Sequence, residues 1–302
     1  MTTPESKPSN LDAPKIPFEV KEIRFEEESL KYVDAKPDNS KSDNLVFFAP
    51  GWGENHRTMS ASLATMFDKG RRVASLEHLS IETLEVKKPE EVIDLEKAEI
   101  RKAAEIEMVL ENLDDFHKID LVAHSEGAIN ATIFALLNPD KVRSVFLLNP
   151  AGLIGKETFL ELALRYAKNI GFGFKEALLN NKARPTLARA AIEAIKYVGK
   201  NTSRAIEDAM SISQSEITDI LKEIKSRGIK IYIIHSVDDK VFSMGRVQKE
   251  LAKEKGIVDG FYSVRGNHED MYVKPEIYMN TIDSILDKMD IGDKEDNSPV
   301  SI

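Results

Sequence analysis

The sequence contains no cysteine. That single absence removes disulfide scaffolds, thiolate zinc sites, iron–sulfur clusters and cysteine nucleophiles together. Positive charge is not in surplus either: 42 Lys and Arg stand against 51 Asp and Glu, a formal net charge of -9. A chain so acidic lacks the electrostatic footprint needed to grip a phosphate backbone, so nucleic acid is not an expected partner. No stretch approaches the roughly 18 consecutive apolar residues of a membrane helix. The opening residues, MTTPESKPSNLDAPK, carry no apolar core of a secretory leader. A soluble, cytoplasmic protein without a membrane span is expected. No G-x-G-x-x-G or phosphate loop occurs, and His56, His78 and His117 show no metal-ligand spacing. Neither a metal nor an organic cofactor is expected.

What is present is ordinary globular composition over 302 residues, 42% hydrophobic and 31% charged. That length suits one large α/β domain or two small ones and buries a core without staples. Residues 1–16 hold three prolines among polar residues and read as a disordered arm. Residues 289–302 read as a flexible tail. Between them, strands and helices alternate. Phe18–Phe25 and Leu30–Ala35 suggest a hairpin, and Leu45–Ala49, closed by Pro50 and Gly51, suggests a buried central strand. Further strands are read at Arg72–Leu76, Ile119–Val122, Val142–Leu148, Lys230–Ile234 and Gly260–Val264. Helices are read at 56–69, 90–113, 126–137, 245–255 and 275–288. Such alternation argues for a mostly parallel sheet covered on both faces. From 154 to 227 the pattern is helical throughout, in pieces at 158–169, 174–180, 185–199, 203–211 and 215–226. A block that long exceeds a crossover and reads as a helical lid over 153–227, inserted into a core of 17–152 and 228–288.

Four segments carry chemistry. In Ile119-Asp120-Leu121-Val122-Ala123-His124-Ser125-Glu126-Gly127-Ala128 a strand delivers Ser125 to a tight turn at a helix start. Small residues two before and two after the serine leave room for the chain to double back, and the helix N-terminus favours developing negative charge. The bland alternative is an N-capping serine. Phe48-Ala49-Pro50-Gly51-Trp52-Gly53-Glu54-Asn55-His56 is a glycine-rich turn able to aim a backbone N–H at an oxyanion, or simply a strand-to-helix loop. His235-Ser236-Val237-Asp238-Asp239-Lys240 sets two acids past a strand end, and Arg265-Gly266-Asn267-His268-Glu269-Asp270 sets a histidine past the next. A loop histidine alone is more often a solvated residue than a catalyst. His124 and His235 read as structural, and Arg71, Arg72 and the lysines of 153–227 as solvated.

The order Ser125, then Asp238 or Asp239, then His268, each just after a strand, changes that weighting. With that order the chain resembles the α/β-hydrolase fold family, specifically its lidded serine members, over about residues 18–288. The resemblance implies an α/β-hydrolase fold, with Ser125 as nucleophile, His268 as general base and Asp239 as the acid, with Asp238 as the alternative. It implies an oxyanion hole from the backbone N–H groups of Trp52 and Glu126. Ala123 stands where the family's elbow has its first glycine, and Ser75–Ser80 departs from the D-x-x-G-x-G-x-S of many lidded members. The implied activity is hydrolysis of a small or medium hydrophobic carboxylic ester through an acyl-enzyme. Phe159, Leu160, Leu162, Leu164, Phe172, Phe174, Leu178 and Leu179 would form the lid's apolar side, with Trp52, Phe172 and Phe242 lining the pocket. The same triad serves amide, thioester, lactone or C–C hydrolysis and acyl transfer, and the fold also hosts non-catalytic ligand receptors.

Overall fold

The computed structural model describes residues 18–25, 28–79, 96–179 and 184–296, with side chains described outside 170–179 and 294–296. The terminal arm 1–16, the last six residues and positions 90–95 of the expected second helix lie outside the described residues.

Among the described residues eight strands form one sheet: β1 (Val20–Phe25), β2 (Glu28–Ala35), β3 (Leu45–Ala49), β4 (Arg72–Glu77), β5 (Ile119–His124), β6 (Val142–Leu148), β7 (Lys230–Ser236) and β8 (Gly260–Val264). Their spatial order is β1-β2-β4-β3-β5-β6-β7-β8. The β1–β2 hairpin is antiparallel and meets β4 antiparallel, while every other pairing is parallel. Helices follow the strands: α1 (Ser60–Asp68), α2 (Lys97–Glu111), α3 (Gly127–Leu137), α4 (Phe159–Leu179), α5 (Arg184–Lys200), α6 (Thr202–Gln214), α7 (Thr218–Ser226), α8 (Met244–Leu251), α9 (Asp270–Val273) and α10 (Pro275–Asp296).

β3 and β5 are buried along their whole length, which is why they read as near-continuous apolar runs. Their two-residue period divides the core into two layers. Leu45, Phe47, Ala49, Leu121 and Ala123 face one layer, with Ile106, Val109 and Ile133 of α2 and α3. Val46, Phe48 and Val122 face the other, with Leu63 of α1 and Tyr278 and Ile282 of α10. The sheet is therefore covered on both sides, as a parallel arrangement requires.

Element boundaries shift in physically legible ways. The pieces read at 158–169 and 174–180 are one helix, α4, running through Gly171 and Gly173. Each glycine costs a helix only about 1 kcal/mol, which surrounding structure readily overrides. Residues 56–59 form a turn, not a first helical turn, because the Asn55 side chain accepts from Arg57 N–H at 2.8 Å and Thr58 N–H at 3.3 Å. α10 runs to Asp296, past the point at 289 where a tail was expected.

Arg71 and Arg72, read as solvated, are both buried. Arg71 donates to Asp283 at 3.0 Å, to Asp287 at 2.5 Å and to Asp290, lashing α10 to the start of β4. Arg72 makes a two-pronged bond to Asp34 at 2.9 and 3.1 Å. Buried arginines persist where their charge is fully paired, and the partners lie too far away in sequence for a local reading to find.

Candidate active site

β5 ends at His124, and the chain turns so sharply at Ser125 that its φ is +54°, a left-handed value unusual for a residue with a side chain. The turn is held by Ser125 N–H on the Leu148 carbonyl at 3.0 Å, and by Ala128 and Ala151 N–H groups on the Ser125 carbonyl. Gly127 has no alternative here, because a Cβ would lie 2.3 Å from the Ala49 carbonyl oxygen and 2.8 Å from that of Pro50. At Gly51, a Cβ would lie 2.9 Å from Ser125 Cβ. The turn after β3 thus sits directly on the serine turn, and these two glycines permit the approach.

Three side chains singled out in the sequence meet at this point. Ser125 Oγ lies 3.1 Å from His268 Nε2, and His268 Nδ1 lies 2.8 Å from Asp239 Oδ2. The other Asp239 oxygen accepts from Val241 N–H at 2.7 Å and Phe242 N–H at 2.9 Å, which fixes the carboxylate. Asp238 faces solvent, and its N–H bonds the Gly266 carbonyl at 3.0 Å. Burial works against charge on His268, but the Asp239 carboxylate outweighs it and raises the imidazole pKa to about 9. Burial likewise opposes charge on Asp239, and the facing imidazole holds its carboxyl below the usual range.

Glu126 heads helix α3, where the first backbone N–H groups have no partner within the helix. Its own side chain is buried and meets Lys102 Nζ at 2.6 Å; Lys102 also meets Asp208 of α6 at 3.0 Å. Burial opposes charge on Lys102, but Glu126, Tyr197 and Asp208 hold its pKa above the usual range.

Trp52 is half-buried, and its indole N–H donates to the Ala205 carbonyl at 3.0 Å. Its ring lies 6.1 Å from Tyr166 and 5.8 Å from Tyr197. Phe242 is buried, with its ring 5.5 Å from His268. The side chains of Phe172, Phe174, Leu178 and Leu179 lie outside the described residues. Phe159, Leu160 and Leu164, expected on the inner side of the lid, are exposed. The phase of α4 explains the correction: Leu162, Tyr166 and Asn169, spaced i, i+4, i+7, form its inward face.

Several residues at the site carried no role in the sequence reading. His124, read as pointing away from the chemistry, lies against His268 with ring centroids 4.8 Å apart and the rings tilted by 42°. Its Nε2 lies 3.0 Å from the His268 carbonyl oxygen, and its Nδ1 lies 2.8 Å from Glu54 Oε1 and 2.9 Å from the Tyr272 hydroxyl. The second Glu54 oxygen accepts the Gly51 N–H at 2.6 Å. Burial opposes the charge on Glu54, but His124 beside it holds its carboxyl below the usual range. The pair therefore ties the turn after β3 to the histidine loop. The signal was the acid in Gly51-Trp52-Gly53-Glu54, unusual beside a buried strand. Tyr166 of α4 places its hydroxyl 3.1 Å from Ser125 Oγ, and no sequence pattern marks it.

A cavity of about 340 Å³ opens beside the same turn, lined by Gly51, Gly53, Arg57, Lys102, Glu193 and Lys200 among others. Its wall is mostly charged, and neither Trp52 nor Phe242 lines it. Among the described residues no group of three His, Asp or Glu is placed to hold a metal ion, and no helix is long and apolar enough to cross a membrane.

A family model described as "alpha/beta hydrolase fold" matches residues 44–262. No curated protein matches the sequence. Among solved structures, the chain is similar to a hydrolase from Pseudomonas aeruginosa PA01 at 15% identity and a TM-score of 0.66, covering 88% of this chain and 98% of that one. It is similar to a carboxylesterase structure from the thaumarchaeon Nitrososphaera gargenis at 18% identity and a TM-score of 0.61, covering 91% and 100%. A bromoperoxidase from Bacillus anthracis is similar at 12% identity and a TM-score of 0.62, covering 89% and 100%. At such identities the likeness is one of fold.

Proposed function

The chain belongs to the α/β-hydrolase fold family, and from that membership we propose that it is a serine hydrolase cleaving a carboxylic ester through an acyl-enzyme. The observation that carries the proposal is the unbroken line of hydrogen bonds from Asp239 through His268 to Ser125. Asp239 fixes the imidazole so that Nε2 faces the serine. His268 takes the Ser125 proton as Oγ attacks the ester carbonyl. The resulting oxyanion is met by the Glu126 N–H at the head of α3 and by the Trp52 N–H on the turn that packs against Ser125. His268 then protonates the departing alcohol, and the same groups activate water to release the acid.

Helices α4–α7, inserted between β6 and β7, act as a lid on this reading. The aromatic surround of Trp52, Tyr166 and Phe242 supports a small or medium hydrophobic acyl group. The charged cavity favours a second reading of the substrate, an ester whose alcohol portion is polar or ionised and extends past Gly51 and Gly53.

Fluorophosphonate labelling read by mass spectrometry, with Ser125→Ala as control, tests the chemistry. A p-nitrophenyl ester series from acetate to decanoate, beside esters of polar alcohols, tests the substrate. One adduct and ester turnover, both lost in the alanine variant, are expected. A folded protein with neither would overturn the assignment in favour of a ligand receptor on the same fold.

A further inference from the structure

Two turns of helix α4 touch all three loops of the candidate triad. Arg165 Nε donates to the Val241 carbonyl at 2.7 Å, on the loop whose Val241 N–H holds Asp239. Tyr166 places its hydroxyl 3.1 Å from Ser125 Oγ. Asn169 Nδ2 donates to Glu269 Oε1 at 3.2 Å, on the residue after His268. Arg165 is itself held by Glu157, which also takes Arg246 of α8 at 3.1 Å. The helix is thus seated on the acid loop and the histidine loop while presenting one phenol to the serine.

The direction of each hydrogen bond follows from the donor inventory. With His268 Nδ1–H donating to Asp239, a neutral imidazole offers Nε2 as acceptor and takes the Ser125 O–H. The lone pairs left on Oγ then accept from Tyr166. Burial holds the Tyr166 phenol pKa far above its ordinary value, so the group is a donor at every working pH. The ring is fixed 6.1 Å from Trp52, 6.1 Å from His268 and 6.4 Å from Phe242, between the proposed oxyanion donor and the base.

We infer that Tyr166 is a catalytic hydrogen-bond donor that helix α4 carries to the reacting centre, a third donor to the tetrahedral oxyanion beside the Trp52 and Glu126 N–H groups. The inference rests on the serine-hydrolase reading. When Oγ attacks, its proton passes to His268 Nε2, one lone pair forms the new C–O bond, and the carbonyl π pair moves onto oxygen. That anion is attached to the carbon that Oγ has just bonded, one bond angle away from the atom Tyr166 already touches. The phenol hydrogen bond shifts to it without proton transfer. As the intermediate collapses, the pair re-forms C=O, the leaving oxygen takes the proton from Nε2, and Tyr166 is released unchanged. Full catalysis therefore requires α4 to be seated.

The test is Tyr166→Phe, which keeps the ring and removes only the hydroxyl, with Asn169→Ala as a second variant that keeps the phenol and loosens its helix. Fluorophosphonate adducts, melting temperature, kcat and KM for p-nitrophenyl acetate, and inhibition by an aryl trifluoromethyl ketone are measured for each. Losing one oxyanion donor lowers kcat by about 10²–10³-fold in the strongest cases. For Tyr166→Phe we expect a fall of about 10- to 100-fold in kcat, little change in KM, and ketone inhibition weakened by a similar factor. Asn169→Ala shows a smaller fall in both. If Tyr166→Phe is labelled, stable and as fast or as tightly inhibited as wild type, Tyr166 is not a donor in the transition state. If wild type carries no adduct at Ser125, the serine-hydrolase reading fails first, and this inference with it.

Discussion

Asp239→Asn is the perturbation with the clearest arithmetic. His268 rises from its ordinary 6.5 to about 9 in the folded protein, against burial and because of the Asp239 carboxylate 2.8 Å away. At about 1.4 kcal/mol per pH unit, that rise corresponds to about 3 kcal/mol of preference for the imidazolium. On the proposed mechanism His268 must be neutral to act as base, so kcat/KM is expected to climb about tenfold per pH unit and level off near pH 9. The amide introduced by the substitution keeps a hydrogen-bonding oxygen but no charge, leaving burial to dominate. The limb then falls to 6.5 or below, while the rate drops about 10³–10⁴-fold because the imidazole tautomer is no longer enforced. The sign for stability runs the other way from the rate. His268 has a folded pKa above its unfolded one, so its contribution is complete below 6.5 and is lost as pH rises through 9. Steady-state pH profiles with p-nitrophenyl acetate, read at the isosbestic wavelength, and urea melts across the same range test both. A wild-type limb near 6.5, or a limb that Asp239→Asn leaves in place, refutes the electrostatic account.

Three further outcomes follow from features elsewhere. Glu99 is fully buried, and burial pushes its carboxyl up to about 8. Its stabilising contribution is complete below 4.5 and lost as pH rises through 8, so Glu99→Gln should raise the melting temperature at alkaline pH by about 3–8 °C and change little in acid; a shift independent of pH refutes this. Gly127→Ala drives a Cβ to 2.3 Å from the Ala49 carbonyl and should cost about 3 kcal/mol or more in chemical denaturation, with esterase activity lost alongside. Arg71→Met leaves Asp283 and Asp290 without their main partner and should cost about 3 kcal/mol; a change under about 1 kcal/mol in urea melts would show that α10 does not depend on that clamp.

The alternation of apolar strands and amphipathic helices was legible because each central strand must be apolar on both faces and each flanking helix on one. Ser125, Asp239 and His268 were legible for a related reason: each follows a strand, and the strand ends converge at one edge of the sheet. Asp239 and Asp238 differ by one step of chain, and only the fold shows Asp239 2.8 Å from His268 Nδ1 with Asp238 facing solvent. Tyr166 was not legible, because a tyrosine at one phase of an amphipathic helix looks like core until the helix is docked. His124 and Glu54 were missed because they pair with each other across 70 residues of chain, and His124 meets a backbone carbonyl 144 residues away. Arg71 and Arg72 were misread because local sequence shows charge but not the three aspartates on one face of α10 that neutralise Arg71. The outward turn of Phe159, Leu160 and Leu164 has the same origin: periodicity shows which residues share a face and leaves open what that face meets.

The left-handed backbone at Ser125 has a consequence for how this chain responds to selection. Holding a side chain at φ +54° costs of order 1–3 kcal/mol that a glycine would not incur. If Ser125 is the nucleophile proposed above, the residue that does the chemistry is also one the fold would be more stable without. A screen rewarding heat resistance alone would drift towards glycine at 125 and return robust, inert proteins. Retention of serine there is then a signature of selection for turnover, written in a single torsion angle.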